Sequence, residues 1–272
     1  MIHYKGKHVT VFQSVLYMTT STLIHTDEVM VLIDPNWLPH EIKEIRECVE
    51  QHKVSQQLYI IYTHNDFDHI IGSGAFPEAK VIASKTFSNY PHKDNIIQQI
   101  KDFDQQYYIH RNYKAEYPSV DFVISNDGEK MNLGDLTFTF NTASGHTSDG
   151  LFTIVEPLGI FISGDYLSDV EFPFITSGYK DYLNTMEKAE RTLQQNKINL
   201  HIPGHGTVTN DYNEMTNRLN FSKYYLNEIT SSKSDLEKQC QQKYLFFEGM
   251  KDIHYENIKF VKQELGKNCG GE

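Results

Sequence analysis

In "YTHNDFDHIIG", residues 62–72, four side chains able to bind a metal fall within six positions: His64, Asp66, Asp68 and His69. They follow directly on the apolar run "LYIIY". A continuous apolar run of that length is the pattern of a strand buried on both faces. Alone, the motif also reads as a solvated turn, because Asn and Asp form turns through side-chain bonds to their own backbone. Its meaning depends on what the rest of the chain brings beside it.

Three later stretches are built the same way. "TASGHTSDG" presents His146, "IFISGDYLSD" presents Asp165 and "LHIPGHGTV" presents His205. Each is an apolar, strand-like run that ends in small residues and then a metal-binding side chain. Strand ends leading into short loops are where α/β folds collect functional groups. Taken singly, His146 has a packing role as its ordinary reading and Asp165 a turn or N-cap role. His205 sits between two glycines, which let a side chain emerge from a tight loop.

In this order and context the seven residues resemble the metallo-β-lactamase-fold superfamily. Its first signature is H-x-H-x-D-H, followed by a His, a bridging Asp and a final His. The resemblance runs from about Thr10 to His205. It implies an α+β chain in an αβ/βα four-layer sandwich, two mixed β-sheets packed face to face with helices outside. It also implies two metal sites. His64, Asp66 and His146 would hold one ion, Asp68, His69 and His205 the other, with Asp165 bridging.

The departure from the pattern is Asp66, where the family has His. A carboxylate adds a negative charge and a hard oxygen donor, so three carboxylates face two cations. Zn²⁺ tolerates such a site, and Mn²⁺ and Fe²⁺ accept it more readily than an all-imidazole one. A related H-x-E-x-D arrangement occurs in the flavodiiron branch of the superfamily, which carries iron and a fused flavodoxin-like domain. The expected cofactors are two divalent ions, with zinc first and iron or manganese as alternatives.

Two bridged divalent ions hold a water between them and can lower its pKa from 15.7 to roughly 7. The expected activity is therefore dinuclear hydrolysis of a small ester-like substrate (ester, lactone, thioester or phosphodiester) by a metal-bridging hydroxide. Asp68 would be the catalytic residue, orienting the nucleophile or handling its proton. The alternative is a stand-alone non-haem diiron redox protein. Fold does not choose the substrate.

Composition bounds the setting. The chain has 272 residues, 39% of them hydrophobic, enough for a full core in one domain. A net charge of −11 gives no general attraction to nucleic acid. Cys48, Cys240 and Cys269 are scattered, which argues against a disulfide scaffold and for a reducing compartment. No stretch reaches transmembrane length and the start has no signal-peptide pattern, so a cytoplasmic protein is expected, with a small-molecule partner and no membrane. Nothing in the sequence bears on oligomeric state.

Outside the motifs, "HVTVFQSV", "STLIHT" and "VMVLID" read as strands, the last closing on the Asp34-Pro35 turn signal. "LPHEIKEIRECVEQHK" and "DYLNTMEKAERTLQQ" read as helices, and "GLFTIVEPLGIFISGD" as a hairpin. Residues 86–118, polar and aromatic, read as a helical insertion apart from the core, and 211–265 as a charged helical segment. "KNCGGE" reads as a frayed tail. Tyr166 and His201 are expected to be packed. His254 and Asn257 share a helical face at i and i+3, with a helix surface as the default and a supporting role at the site as the alternative.

Overall fold

A computed structural model describes residues 1–231 and 235–268 of the chain. Seven strands form the first sheet in sequence order: β1 (Ile2–Lys5), β2 (Val9–Gln13), β3 (Thr20–His25), β4 (Met30–Ile33), β5 (Leu58–Ile61), β6 (Lys80–Ser84) and β7 (Phe122–Ile124). It is antiparallel from β1 to β4 and parallel from β4 to β7. The second sheet has the order β12-β11-β10-β9-β8, made of β8 (Glu129–Leu133), β9 (Leu136–Thr142), β10 (Leu151–Glu156), β11 (Ile160–Gly164) and β12 (Leu200–Pro203). Only β11 and β12 pair in parallel there.

Three buried clusters explain the layering. Inward residues of both sheets meet in the middle, among them Val31, Ile33, Ile61 and Ile82 from the first and Phe138, Phe140, Ile162 and Ile202 from the second. The alternate residues Met30, Leu32, Leu58 and Ile60 face outward and pack under α1 (Pro39–His52) through Ile42, Ile45 and Val49. Side chains alternate across a strand, so a strand covered on both faces must be apolar throughout. That is the reason for the runs "MVLI" and "LYII". On the far side, Phe152, Ile154 and Phe161 pack under α5 (Tyr179–Gln195) and α6 (Tyr212–Glu228). The result is the expected αβ/βα sandwich, completed by α2 (Phe67–Ile70), α3 (Lys85–Ser88), α4 (Lys93–Gln106), α7 (Leu236–Lys243) and α8 (Phe247–Asn268).

Residues 86–118 differ from the expectation that they stand apart from the core. Phe87, Ile96 and Ile100 are buried in the cluster under the first sheet. Arg111 is buried too, paired with Asp104 at 2.9 Å and donating to the Trp37 carbonyl at 2.6 Å. The apolar residues recur at helical spacing, and the density of polar residues between them hid it. Cys48 and Cys240 are buried free thiols. The supposed tail is helical through Asn268; Cys269 and the rest of "KNCGGE" lie outside the described residues. No helix among the described residues is long and apolar enough to cross a membrane.

Candidate metal centre

The seven residues singled out in the sequence lie together at one edge of the sandwich, where strands end. β5 runs out at Ile61, and the chain turns through His64 and Asp66 into the short helix α2, which carries Asp68 and His69. Gly72 closes the turn so tightly against Ile42 and the Pro35 carbonyl that a Cβ has no room there. His146 lies between β9 and β10, Asp165 follows β11 and His205 follows β12. Parallel pairing of β11 with β12, Gly164 opposite Pro203, sets Asp165 and His205 side by side. Gly204 is required by this contact, because a Cβ would collide with the Asp165 carboxylate.

Asp165 sits at the centre. Its Oδ2 lies 3.4 Å from His64 Nε2, 3.2 Å from His146 Nε2 and 3.3 Å from His205 Nε2, and its Oδ1 lies 3.1 Å from His69 Nε2. Asp66 Oδ2 is 3.1 Å from His146 and 3.6 Å from His64. Asp68 Oδ2 is 3.3 Å from His205 and 3.4 Å from His69. The atoms fall into one group of His64, Asp66, His146 and Asp165 and another of Asp68, His69 and His205, each within 4.8 Å. Asp66, with 38% of its side chain exposed, forms the open rim of an otherwise buried cluster.

What holds the imidazoles is a set of acceptors invisible in the motif. His69 Nδ1 meets Asp34 Oδ2 at 3.0 Å. The Thr63 hydroxyl donates to Asp34 at 2.5 Å, so its lone pair accepts from His64 Nδ1 at 3.0 Å. His146 Nδ1 donates to the Phe174 carbonyl at 3.1 Å, and His205 Nδ1 to the Tyr17 carbonyl at 2.9 Å. With every Nδ1–H given away, every Nε2 lone pair faces inward, which is the tautomer that metal binding needs. Asp34, read from sequence as part of a turn, is therefore a support of the site. It is buried, with φ 46°.

The electrostatics call for positive charge at the centre. Burial pulls His64 and His146 down, but the Asp165 and Asp66 carboxylates outweigh it and raise them to about 9 and about 10. His69 and His205 go well above the usual range for the same reason, burial being overcome chiefly by Asp165. Burial alone would raise Asp66 and Asp165, yet the surrounding imidazoles hold both far below the normal carboxylate range. The same carboxylates that raise the imidazoles would be neutralised by divalent cations bound at the ring nitrogens. Asp165 Oδ1 and His64 Nε2 are also buried without a hydrogen-bond partner. Imidazole nitrogens and carboxylate oxygens in these groups fit divalent cations.

The remaining expected residues separate cleanly. Tyr166 is packed, as expected, and its hydroxyl donates to the Ala143 carbonyl at 2.6 Å and accepts from the His146 amide at 2.9 Å. It braces the His146 loop and does not face outward to a substrate. His201 is buried against Ser163 at 2.9 Å, and burial depresses it to about 3. Asn257 and His254 are not on a free helix surface: both are buried. Asn257 accepts from the Ile175 amide at 2.9 Å and donates to the Pro173 carbonyl at 2.7 Å, and His254 meets Tyr225 at 3.0 Å.

Two carboxylates near the site carried no sequence signal. Glu171 forms a third group with Asp165 and His205. Burial, opposed by His205, pushes it up to about 7. Asp149, three residues beyond His146, is buried with neither oxygen hydrogen-bonded, and burial raises it to about 6.

Among solved structures the fold is similar to the stereoselective inverting sec-alkylsulfatase Pisa1 from Pseudomonas sp., with a TM-score of 0.67 at 12% identity over 84% of this chain and 41% of that one. The chain thus spans about two fifths of the sulfatase's length. A metallo-beta-lactamase family protein from Thermus thermophilus matches with a TM-score of 0.60 at 12% identity over 82% of each chain. An archaeal metallo-beta-lactamase superfamily protein from Sulfolobus tokodaii matches with a TM-score of 0.54 at 19% identity, over 84% of this chain and 88% of that one. At these identities the likeness is one of fold. No curated protein sequence matches the chain. The family model of the metallo-beta-lactamase superfamily matches residues 15–205, a span that holds all seven motif residues, and the chain belongs to that superfamily.

Proposed function

We propose that the protein is a dinuclear metal-dependent hydrolase of a small ester-like substrate: an ester, lactone, thioester or phosphodiester. The observation that carries this reading is the convergence of four Nε2 atoms and the Asp66 and Asp68 carboxylates around Asp165, with every Nδ1 engaged elsewhere. One ion would be held by His64, Asp66 and His146 and the other by Asp68, His69 and His205, with Asp165 shared. Zinc is the proposed metal, and the Asp66 carboxylate admits iron or manganese. When bound, such ions supply a water of pKa near 7 and polarise the substrate's carbonyl or phosphoryl oxygen.

The chain's own residues do the remaining work. Asp68 orients the attacking water and takes its proton at a carboxylate oxygen, which makes it the catalytic residue of the proposal. Asp34, Thr63, Tyr17 and Phe174 keep the imidazole rings aimed inward. Family membership and a fold neighbour that is an alkylsulfatase support hydrolysis as the reaction class. The proposed setting is cytoplasmic, where Cys48 and Cys240 stay reduced, and a net charge of −11 points away from nucleic acid as partner.

Elemental analysis by mass spectrometry of protein purified without chelators tests the reading, alongside Asp66→His and a panel of the four substrate classes. Close to two metals per chain, hydrolysis within the panel and a shift towards zinc in the variant are expected. One metal or none in the native protein removes the dinuclear mechanism. Fully metallated protein that cleaves nothing in the panel ends the hydrolase reading. Stable iron with consumption of oxygen or nitric oxide under reductant replaces it with the diiron redox alternative.

A further inference from the structure

Glu171 is the one member of the three convergent groups that the motif does not supply. It lies in the loop after β11, and that loop is pinned on both sides of it. Ser168 Oγ donates to the His205 carbonyl at 2.9 Å and accepts from the Val170 and Glu171 amides at 3.0 and 3.1 Å. Asp169 Oδ1 accepts from the Thr207 amide at 2.7 Å. One residue later, Phe172 is buried against Tyr225 and Phe247, with ring centroids 5.1 and 5.6 Å away. The backbone at Glu171 is therefore tied to the strand end that carries His205.

From there the side chain runs to the cluster. Its Oε1 is 3.8 Å from His205 Nδ1, whose proton already belongs to the Tyr17 carbonyl. The Glu171 carboxylate accepts no hydrogen bond from any described residue, and only 12% of the side chain is exposed. The charged groups that act most strongly on it are His205, Asp165, His146 and Asp68, from both halves of the cluster, with no lysine or arginine among them. A buried carboxylate beside two others is stabilised by a nearby cation, and Glu171 shares a cation-sized group with Asp165 and His205.

We propose that Glu171 is a further carboxylate donor to the cation held by Asp68, His69, Asp165 and His205. This rests on the metal reading above. Ligand atoms of Glu171, Asp165 and His205 lie within 4.8 Å of one another, which places the carboxylate within reach of that cation. Four carboxylates, Asp66, Asp68, Asp165 and Glu171, then face two divalent cations, and their charges cancel. Oxygen donors added on this side favour Mn²⁺ and Fe²⁺ there.

The test is titration of the full-length, metal-free protein with Mn²⁺ alone, followed by calorimetry, and with Co²⁺ alone, followed by its visible absorption. The wild-type protein is expected to take two cations. In Glu171→Ala one of them binds at least ~10-fold more weakly and the Co²⁺ spectrum changes. The other cation and the circular dichroism of the metal-free protein stay as they were. Glu171→Gln, which keeps the size of the native side chain, carries the same comparison if alanine loosens the loop. Superimposable isotherms and spectra overturn the proposal. Weaker binding with an unchanged spectrum also overturns it, because Glu171 would then act through its charge alone. A wild-type protein that takes up no cation defeats the metal reading itself, so the two failures are distinguishable.

Discussion

Asp34 carries two of the four imidazoles. It holds His69 directly and His64 through Thr63, and its left-handed backbone, φ 46°, is a conformation non-glycine residues keep only where surroundings enforce it. Asp34→Asn puts an amide N–H₂ where an acceptor is needed. Divalent-metal affinity is expected to fall by roughly 10–100-fold, read by competition with a chromogenic chelator. Unchanged affinity would show that the rings hold their orientation without it.

Asp149 makes a prediction of another kind. Its carboxyl titrates at about 6 in the folded chain against 3.8 when free. The folded state keeps the proton to higher pH than the unfolded one, so stability declines as pH rises from about 4 through 6 and stays reduced above. Asp149→Asn is expected to stabilise the fold by roughly 1–3 kcal/mol at pH 7 and to change little at pH 4. Urea unfolding at the two pH values measures it, and equal midpoints at pH 7 would mean the carboxyl is satisfied in solution.

At the scale of elements, α8 reaches the site without touching it. Asn257 binds Ile175 and Pro173 on either side of Phe174, whose carbonyl orients His146. Asn257→Ala leaves a buried amide N–H and a buried carbonyl unpaired, at a cost of about 1–3 kcal/mol. The loss is expected to fall on the cation facing His146 and to spare the one facing His69 and His205. Thermal unfolding gives the first quantity and metal titration the second; equal weakening of both cations would assign Asn257 to general stability alone.

For the whole molecule, a centre assembled from two sheets couples metal binding to folding. His64 and His69 come with the first sheet, His146, Asp165 and His205 with the second. An ion that binds only this assembled state stabilises it by about 2.7 kcal/mol at a free concentration of 100 Kd. The midpoint of thermal unfolding is therefore expected to rise on adding Zn²⁺ or Mn²⁺ to metal-free protein and to return with chelator. A midpoint indifferent to metal would argue against a site spanning the sheets.

Much of this was legible in one dimension. Apolar runs covered on both faces marked β4 and β5, and four strand ends each delivered a metal-binding residue, because side-chain period and strand termination are local properties. The seven residues of the candidate centre all fall within those local patterns. Asp34 and Asn257 were legible only as a turn and a helix face, Tyr166 as a packed side chain, and Glu171 not at all. Their roles rest on contacts such as Asp34 with His69 and Asn257 with Ile175, 82 positions apart in sequence. Such contacts leave no periodic trace along the chain. The sequence by itself determined which side chains could bind a cation and where the strands stop; only the tertiary structure decided which acceptors orient them, because hydrogen-bond partners are chosen by proximity in space.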